Sequence, residues 1–152
     1  MNLYITNSIS KNNLMQFNDY THLEISTCKN IIDEINNTYD DSECKKIVIE
    51  NAFEYIQVDK IDLFLRTVIK KMRKGSSITL IGIDSYAVCK DYISKKISIE
   101  DFNLLIHGKP GTVRTASISL HGLVSYLRNE FGLRVIHQCL SGYNYNIEAI
   151  RE

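Results

Sequence analysis

The stretch from residue 58 to residue 84 constrains the fold more than any other part of the chain. Apolar residues recur at Ile61, Leu65, Val68 and Met72, and Phe64 and Ile69 widen the stripe. That is the period of a helix over 58–74 with one buried face. Asp59 and Asp62 sit in its first turns, and Lys70, Lys71, Arg73 and Lys74 in its last. The helix dipole favours that order of charges. Gly75 follows, placed to end the helix in the left-handed conformation. "SITLIGID" (77–84) then reads as a strand apolar on both faces, the type found in parallel sheets. A helix running through one glycine into a buried strand needs a sheet to join and layers to cover it.

The rest of the chain supplies them. "NLYIT" (2–6), "HLEIS" (22–26) and "KKIVIEN" (45–51) read as strands, the last with three consecutive β-branched residues. "NIIDEI" (30–35) suits a short strand or a helical turn. Residues 86–96 and 98–108 read as helices; Ser98 is a natural N-cap, Asp101 its acidic partner, and Gly108 the stop. A third helix over 119–132 has Ser119 as its cap and Gly132 as its stop. Residues 133–138 and 143–150 form an antiparallel hairpin turning at "CLSG". Strands alternating with helices, then a terminal hairpin, predict a three-layer α/β sandwich. Its sheet is Rossmann-like, mostly parallel and of seven or six strands.

At 152 residues, with 44% hydrophobic residues and no linker, 1–152 is one domain. Eighteen basic and eighteen acidic residues cancel. A polyanion as main partner is therefore not expected, and a homo-oligomer suits the neutral surface. "KKMRK" (70–74) has two readings: phosphate contact, or simple complementarity to a helix end. Cys28, Cys44, Cys89 and Cys139 lie too far apart for a metal clip, and His22, His107, His121 and His137 are scattered, so no metal is expected. Reduced thiols suit a cytoplasmic protein. The first twenty residues lack a signal-peptide pattern, and no run approaches the roughly 18 apolar residues of a membrane span.

Three stretches together resemble the class I S-adenosylmethionine-dependent methyltransferase family in its short form. "TYDDSECKKIVIENAFEYI" (38–56) is similar to the family's acidic turn, strand four and Glu-His-Ile-like motif, here Glu54-Tyr55-Ile56. "FLRTVIKKMRKGSSITLIGID" (64–84) resembles its next helix, Pro-Gly-Gly-like turn and strand five. Residues 119–152 resemble its last helix and final hairpin. The resemblance implies a strand order of 3-2-1-4-5-7-6 with strand seven antiparallel. It also implies S-adenosylmethionine as cofactor and an unidentified small-molecule or sugar acceptor.

The family's turn after strand one carries two or three glycines, which let backbone amides approach the cofactor. Here "LYITNSISKNN" (3–13) has none, and Thr6, Asn7 and Ser8 stand in their place. Left-handed backbone there costs roughly 1 kcal/mol or more per residue. Cofactor binding is therefore expected to be weak or absent. The resemblance assigns the cofactor site to Thr6, to Glu24 for the ribose hydroxyls, to Asp33 after strand three for the adenine amine, and to Asn51. His107 and Arg114 flank a basic, glycine-containing loop and are candidate substrate contacts; His107 equally suits a helix cap. Two functions follow: a methyltransferase, or an inactive methyltransferase-fold scaffold that docks to itself or to a larger assembly.

Overall fold

The computed structural model describes residues 1–7, 16–25, 30–111 and 114–152. Strands are β1 (Asn2–Thr6), β2 (Thr21–Glu24), β3 (Cys44–Glu50), β4 (Met72–Ile83), β5 (Arg134–Ser141) and β6 (Asn144–Ile150). Helices are α1 (Ile31–Thr38), α2 (Ile61–Lys71), α3 (Ser85–Ile93), α4 (Ile99–His107) and α5 (Leu120–Phe131). The six strands form one sheet in the order β2-β1-β3-β4-β6-β5. The first four are parallel, and β6 runs antiparallel to both β4 and β5. The Rossmann-like sheet with an antiparallel end is the architecture expected from the sequence. None of the described helices is long and apolar enough to cross a membrane.

The path from β1 to β2 runs one way across the sheet, and the path from β2 through β3 to β4 runs the other. Right-handed crossovers then place α1 and α2 on the same face. The core shows this, and α5 joins them. Leu3, Ile5, Ile49 and Leu80 from the strands pack in one cluster with Ile35 of α1, Leu65 of α2 and Leu127 of α5. On the opposite face Phe17 stacks on Tyr4 at 4.6 Å between ring centroids, while Thr79, Ile81 and Glu148 remain half-buried. The strand over 77–84 is thus buried on one face and half-covered on the other, a correction to the expectation of two apolar faces. Its polar Ser77 and Thr79 suit the thinner side.

Two boundaries differ from the sequence reading. The helix expected over 58–74 begins as a 3-10 turn (Val58–Lys60) and ends at Lys71, where the chain passes directly into β4. Met72 pairs with Cys44 across the sheet and is fully buried there, so strand pairing overrides helical periodicity. Gly75 does adopt positive φ (+76°), but within a bulge of β4 rather than at a helix end. Of the two readings of 30–35 the helical one holds: the run starts α1, capped by Asn30, whose side chain accepts the Ile32 N–H at 3.2 Å. Ile31, Ile32 and Ile35 share its inner face. The strand three implied by the resemblance is not formed there, and among the described residues the sheet ends at β2.

The other signals hold. Ser98 and Asp101 form a reciprocal capping box, and Ser119 accepts the Gly122 N–H at 3.2 Å. Gly132 closes α5 in the left-handed conformation. The hairpin turns at Gly142–Tyr143, because Cys139–Ser141 still pair with β6.

Three surface carboxylates set an acid limit. Asp41 is held below the usual carboxylate range by hydrogen bonds from Lys70 and Lys71, Asp62 by Arg66 and then Tyr126, and Asp91 by Tyr143 and then Lys96. Depressed folded values stabilise above the unfolded pKa of 3.8 and lose that contribution as pH falls through the folded values. Burial acts at the other flank by pushing the Cys44 thiol from 9.0 to about 11. A raised value stabilises below 9.0 and is lost as pH rises towards 11. Denaturant midpoints measured against pH should therefore form a plateau, falling below about pH 4 and again above about pH 9. A midpoint unchanged at pH 3 would show that the aspartate pairs contribute nothing.

Candidate functional site

In an open α/β sheet, ligands bind at the carboxyl ends of the strands, where the strand order reverses. Here that point lies beside β1. Thr6, the last residue of β1, is in register with Glu24 at the end of β2 and with Glu50 at the end of β3. Parallel pairing therefore brings one hydroxyl and two carboxylates into a row on one face. Thr6 is buried, whereas Glu24 and Glu50 are half-buried at the rim. The Ile25 N–H donates to the Thr6 carbonyl at 2.9 Å and ties the strand ends together. Below the row, the Tyr4 hydroxyl donates to the Glu50 carboxylate. Phe17 stacks on Tyr4, and His22 meets it edge-on at 5.2 Å.

The sequence reading selected Thr6 and Glu24 but missed Glu50. The available signal was its place as the last residue of a β-branched strand; the reading settled one position later, on Asn51. Asn51 has a different task. Its φ is +48°, its backbone N–H donates to the Ile81 carbonyl at 2.8 Å, and its side chain is exposed. It turns the chain out of β3, a left-handed position that Asn tolerates better than most residues.

Beside Ile25 a cavity of about 300 Å³ opens between the end of β2 and the start of α1. Ile25, Ile31, Ile32 and Ile56 give it apolar walls, and Gln57 and Lys60 give polar edges. With Asn30 and Tyr55 also in its lining the slot is as polar as it is apolar, and Glu24 precedes Ile25 in the chain without lining it; a mixed slot at the strand ends is a candidate for the nucleoside half of S-adenosylmethionine. Asp33 does not join it as the resemblance implied. It lies on the exposed face of α1, where it accepts a hydrogen bond from the Asn30 side chain at 2.7 Å. Its expected position followed a strand that is here a helix. The glycine-free turn falls mostly on residues 8–15, outside the described residues.

A second polar centre lies beyond β4. Glu54 is 3% exposed. Its Oε1 accepts the Ile83 N–H at 2.8 Å, and its carbonyl accepts those of Thr115 at 2.6 Å and Ala116 at 3.2 Å. Among the described residues, Glu54 Oε2 and the Tyr145 hydroxyl are buried without hydrogen-bond partners. Burial first, then the carboxylates of Glu54 and Asp84, push the Tyr145 phenol well above its ordinary pKa. Asp84 caps α3 by accepting the Tyr86 N–H at 3.0 Å. This centre fastens the 114–116 segment to the sheet.

His107 and Arg114 are joined, but not to Glu24. The Arg114 N–H donates to the His107 carbonyl at 3.2 Å, and its guanidinium donates to the Leu105 carbonyl. Both contacts clasp the loop to the end of α4, while the His107 side chain is exposed. Arg114 and Glu54 also line a void of about 10 Å³, roughly the room one water needs.

No family model matches the chain, and no curated relative matches it. Solved structures do. A methyltransferase from Archaeoglobus fulgidus, S-adenosylmethionine-dependent, matches 99% of this chain and 86% of its own at a TM-score of 0.58 and 9% identity. A Haloferax volcanii complex joins the Trm112 methyltransferase activator to a protein described as a methyltransferase. It matches 98% of this chain and 81% of its own, at 0.62 and 10%. A Thermotoga maritima methyltransferase, described as a possible histamine N-methyltransferase, matches 99% and 82%, at 0.60 and 10%. At these identities the likeness establishes the fold: the chain has the class I S-adenosylmethionine-dependent methyltransferase fold.

Proposed function

We propose that the chain is an S-adenosylmethionine-dependent methyltransferase-like protein that holds its cofactor weakly and acts on a small-molecule or sugar acceptor. The observation that carries this reading is the register of Thr6 with Glu24 and Glu50 at the strand reversal, with the cavity of mixed lining at Ile25. Glu24 would accept hydrogen bonds from the ribose hydroxyls, and Ile25, Ile31 and Ile32 would flank the base. When bound, the cofactor supplies an electrophilic methyl group. The chain's part is to align the acceptor with it, and alignment alone can supply much of the rate. The three cysteines described are free thiols, in keeping with a reducing, cytoplasmic setting.

A second reading, a scaffold that no longer binds the cofactor, is favoured by Asp33, which lies exposed on α1, hydrogen-bonded to the Asn30 side chain and outside the cavity lining. The Haloferax volcanii neighbour was solved with an activator protein, and the outer strand β5, whose Arg134 pairs with Glu152 and whose Ile136 and Leu140 are exposed, suits a protein partner or a second copy of this chain.

Calorimetry with S-adenosylmethionine and S-adenosylhomocysteine separates the two. Weak binding is expected, and Glu24→Ala should reduce it by about 1–3 kcal/mol, the cost of losing hydrogen bonds to a charged group. Micromolar or tighter binding would sink the claim that the glycine-free turn weakens the site. An affinity unmoved by Glu24→Ala would sink the ribose assignment. No binding at all would leave the scaffold.

A further inference from the structure

We propose that the chain carries an anion site at the opposite end of the sheet, built by Lys45, Arg73 and Lys74 around the bulge of β4, which takes a phosphate-bearing ligand. The basic run 70–74 has an ordinary explanation only if all of it lies at a helix end. The structure divides it. Lys70 and Lys71 close α2 and share Asp41, at 2.9 and 3.0 Å. Arg73 and Lys74 lie beyond the helix, in β4, where the dipole no longer accounts for them. Among the described residues neither they nor Lys45 forms an ion pair with a carboxylate.

These three cations converge on a concave surface. Lys45, Arg73, Lys74, Gly75 and Ser76 line a cavity of about 290 Å³, room enough for a diphosphate group. The backbone beneath is fixed. The Gly75 N–H donates to the Arg151 carbonyl at 2.7 Å, the Arg151 N–H donates to the Ser76 carbonyl at 3.1 Å, and the Ser76 hydroxyl donates to the Arg73 carbonyl at 2.6 Å. The Arg151 guanidinium donates to the Ile69 and Met72 carbonyls and so braces the end of α2 against the bulge. Three like charges on a rigid concave surface repel one another, and a multivalent anion relieves that repulsion. Arg offers a planar fork to phosphate oxygens, and Lys a point charge. The site is separate from the cofactor crevice. Lys45 and Glu50 lie at opposite ends of β3, roughly 17 Å apart at about 3.3 Å per residue.

The test is titration of the full chain with inorganic tripolyphosphate and, separately, with a short single-stranded oligonucleotide at low salt. Arg73→Gln/Lys74→Gln is the variant. Both residues are exposed, so a thermal midpoint near wild type is expected. At least one probe should bind wild type, and the double variant should bind it about tenfold more weakly or worse. Oligonucleotide binding should also weaken about twentyfold between roughly 50 and 200 mM salt, as expected for about three phosphate contacts to a single strand. Tripolyphosphate alone binding identifies a small phosphorylated ligand; markedly tighter oligonucleotide binding identifies a nucleic-acid backbone. Absence of binding by both probes, or equal affinity in wild type and variant, overturns the proposal. Neither result depends on Glu24, so this site and the methyltransferase reading stand or fall separately.

Discussion

Leu65→Ala should lower the unfolding free energy by about 2–5 kcal/mol, the range for emptying a well-packed leucine site. Leu65 is fully buried on the inner face of α2. It sits in the one cluster that joins α1, α2 and α5 to the sheet. Phe64 and Val68, equally buried, flank it on the same helix, and Phe64 meets Phe53 edge-on at 5.8 Å between centroids. Rings and β-branched side chains held on both sides cannot close a cavity easily, which puts the loss in the upper half of that range. Urea unfolding of wild type and variant measures it. A loss under about 0.5 kcal/mol, the range of ordinary surface changes, would mean the stripe is not packed. Leu63→Ala is the matched control. Leu63 is 54% exposed on the same helix, and its truncation should change little.

The same helix marks the limit of what the sequence disclosed. Ile61, Leu65 and Val68 repeat at helical spacing, and that periodicity reports burial directly. Met72 fits the stripe equally well, yet its burial comes from pairing with Cys44 in the sheet. A side chain that suits two environments carries no mark of which one it occupies. Gly75 was legible as a positive-φ residue but not as part of a bulge, because the bulge exists only relative to β3. The run 30–35 shows the converse. Ile31, Ile32 and Ile35 suited a helical turn as well as a short strand, and the resemblance implied the strand; the cap at Asn30 decides for the helix.

The site was legible in part for the same reason. Thr6 ends a predicted strand and Glu24 was placed at the rim by the resemblance, because the strand predicted over 22–26 runs two residues past it while β2 stops there. The register of Thr6 with Glu24 and Glu50 is a long-range property of parallel pairing, and no local pattern encodes it. Glu54 was visible as half of a Glu-Tyr pair. Its hold on Ile83, Thr115 and Ala116 depends on three segments far apart in the chain.

Gly82→Ala should destabilise the chain by about 3 kcal/mol or more, at or above the top of the usual range for overpacking. Gly82 is in register with Tyr145 on the neighbouring strand, and the tyrosine ring folds over the bare face of the glycine. A methyl group there would lie 2.6 Å from Glu54 Oε1, 2.6 Å from the Tyr145 hydroxyl and 2.8 Å from the ring carbon that bears it. None of these can retreat cheaply. Tyr145 is fully buried, and Glu54 Oε1 is held by the Ile83 N–H. Moving Glu54 would pull on the 114–116 segment that its carbonyl anchors. Tyr145→Phe provides the internal test. It removes a buried hydroxyl that has no partner among the described residues, so alone it should be neutral or stabilising. Combined with Gly82→Ala it should recover about 1 kcal/mol or more, because one of the three close contacts disappears. Full recovery is not expected, since Glu54 Oε1 and the ring carbon remain in the way. Denaturant unfolding of the two single variants and the double gives the coupling directly. A Gly82→Ala variant within about 0.5 kcal/mol of wild type, or strictly additive effects, would show that Tyr145 does not close over Gly82 in solution.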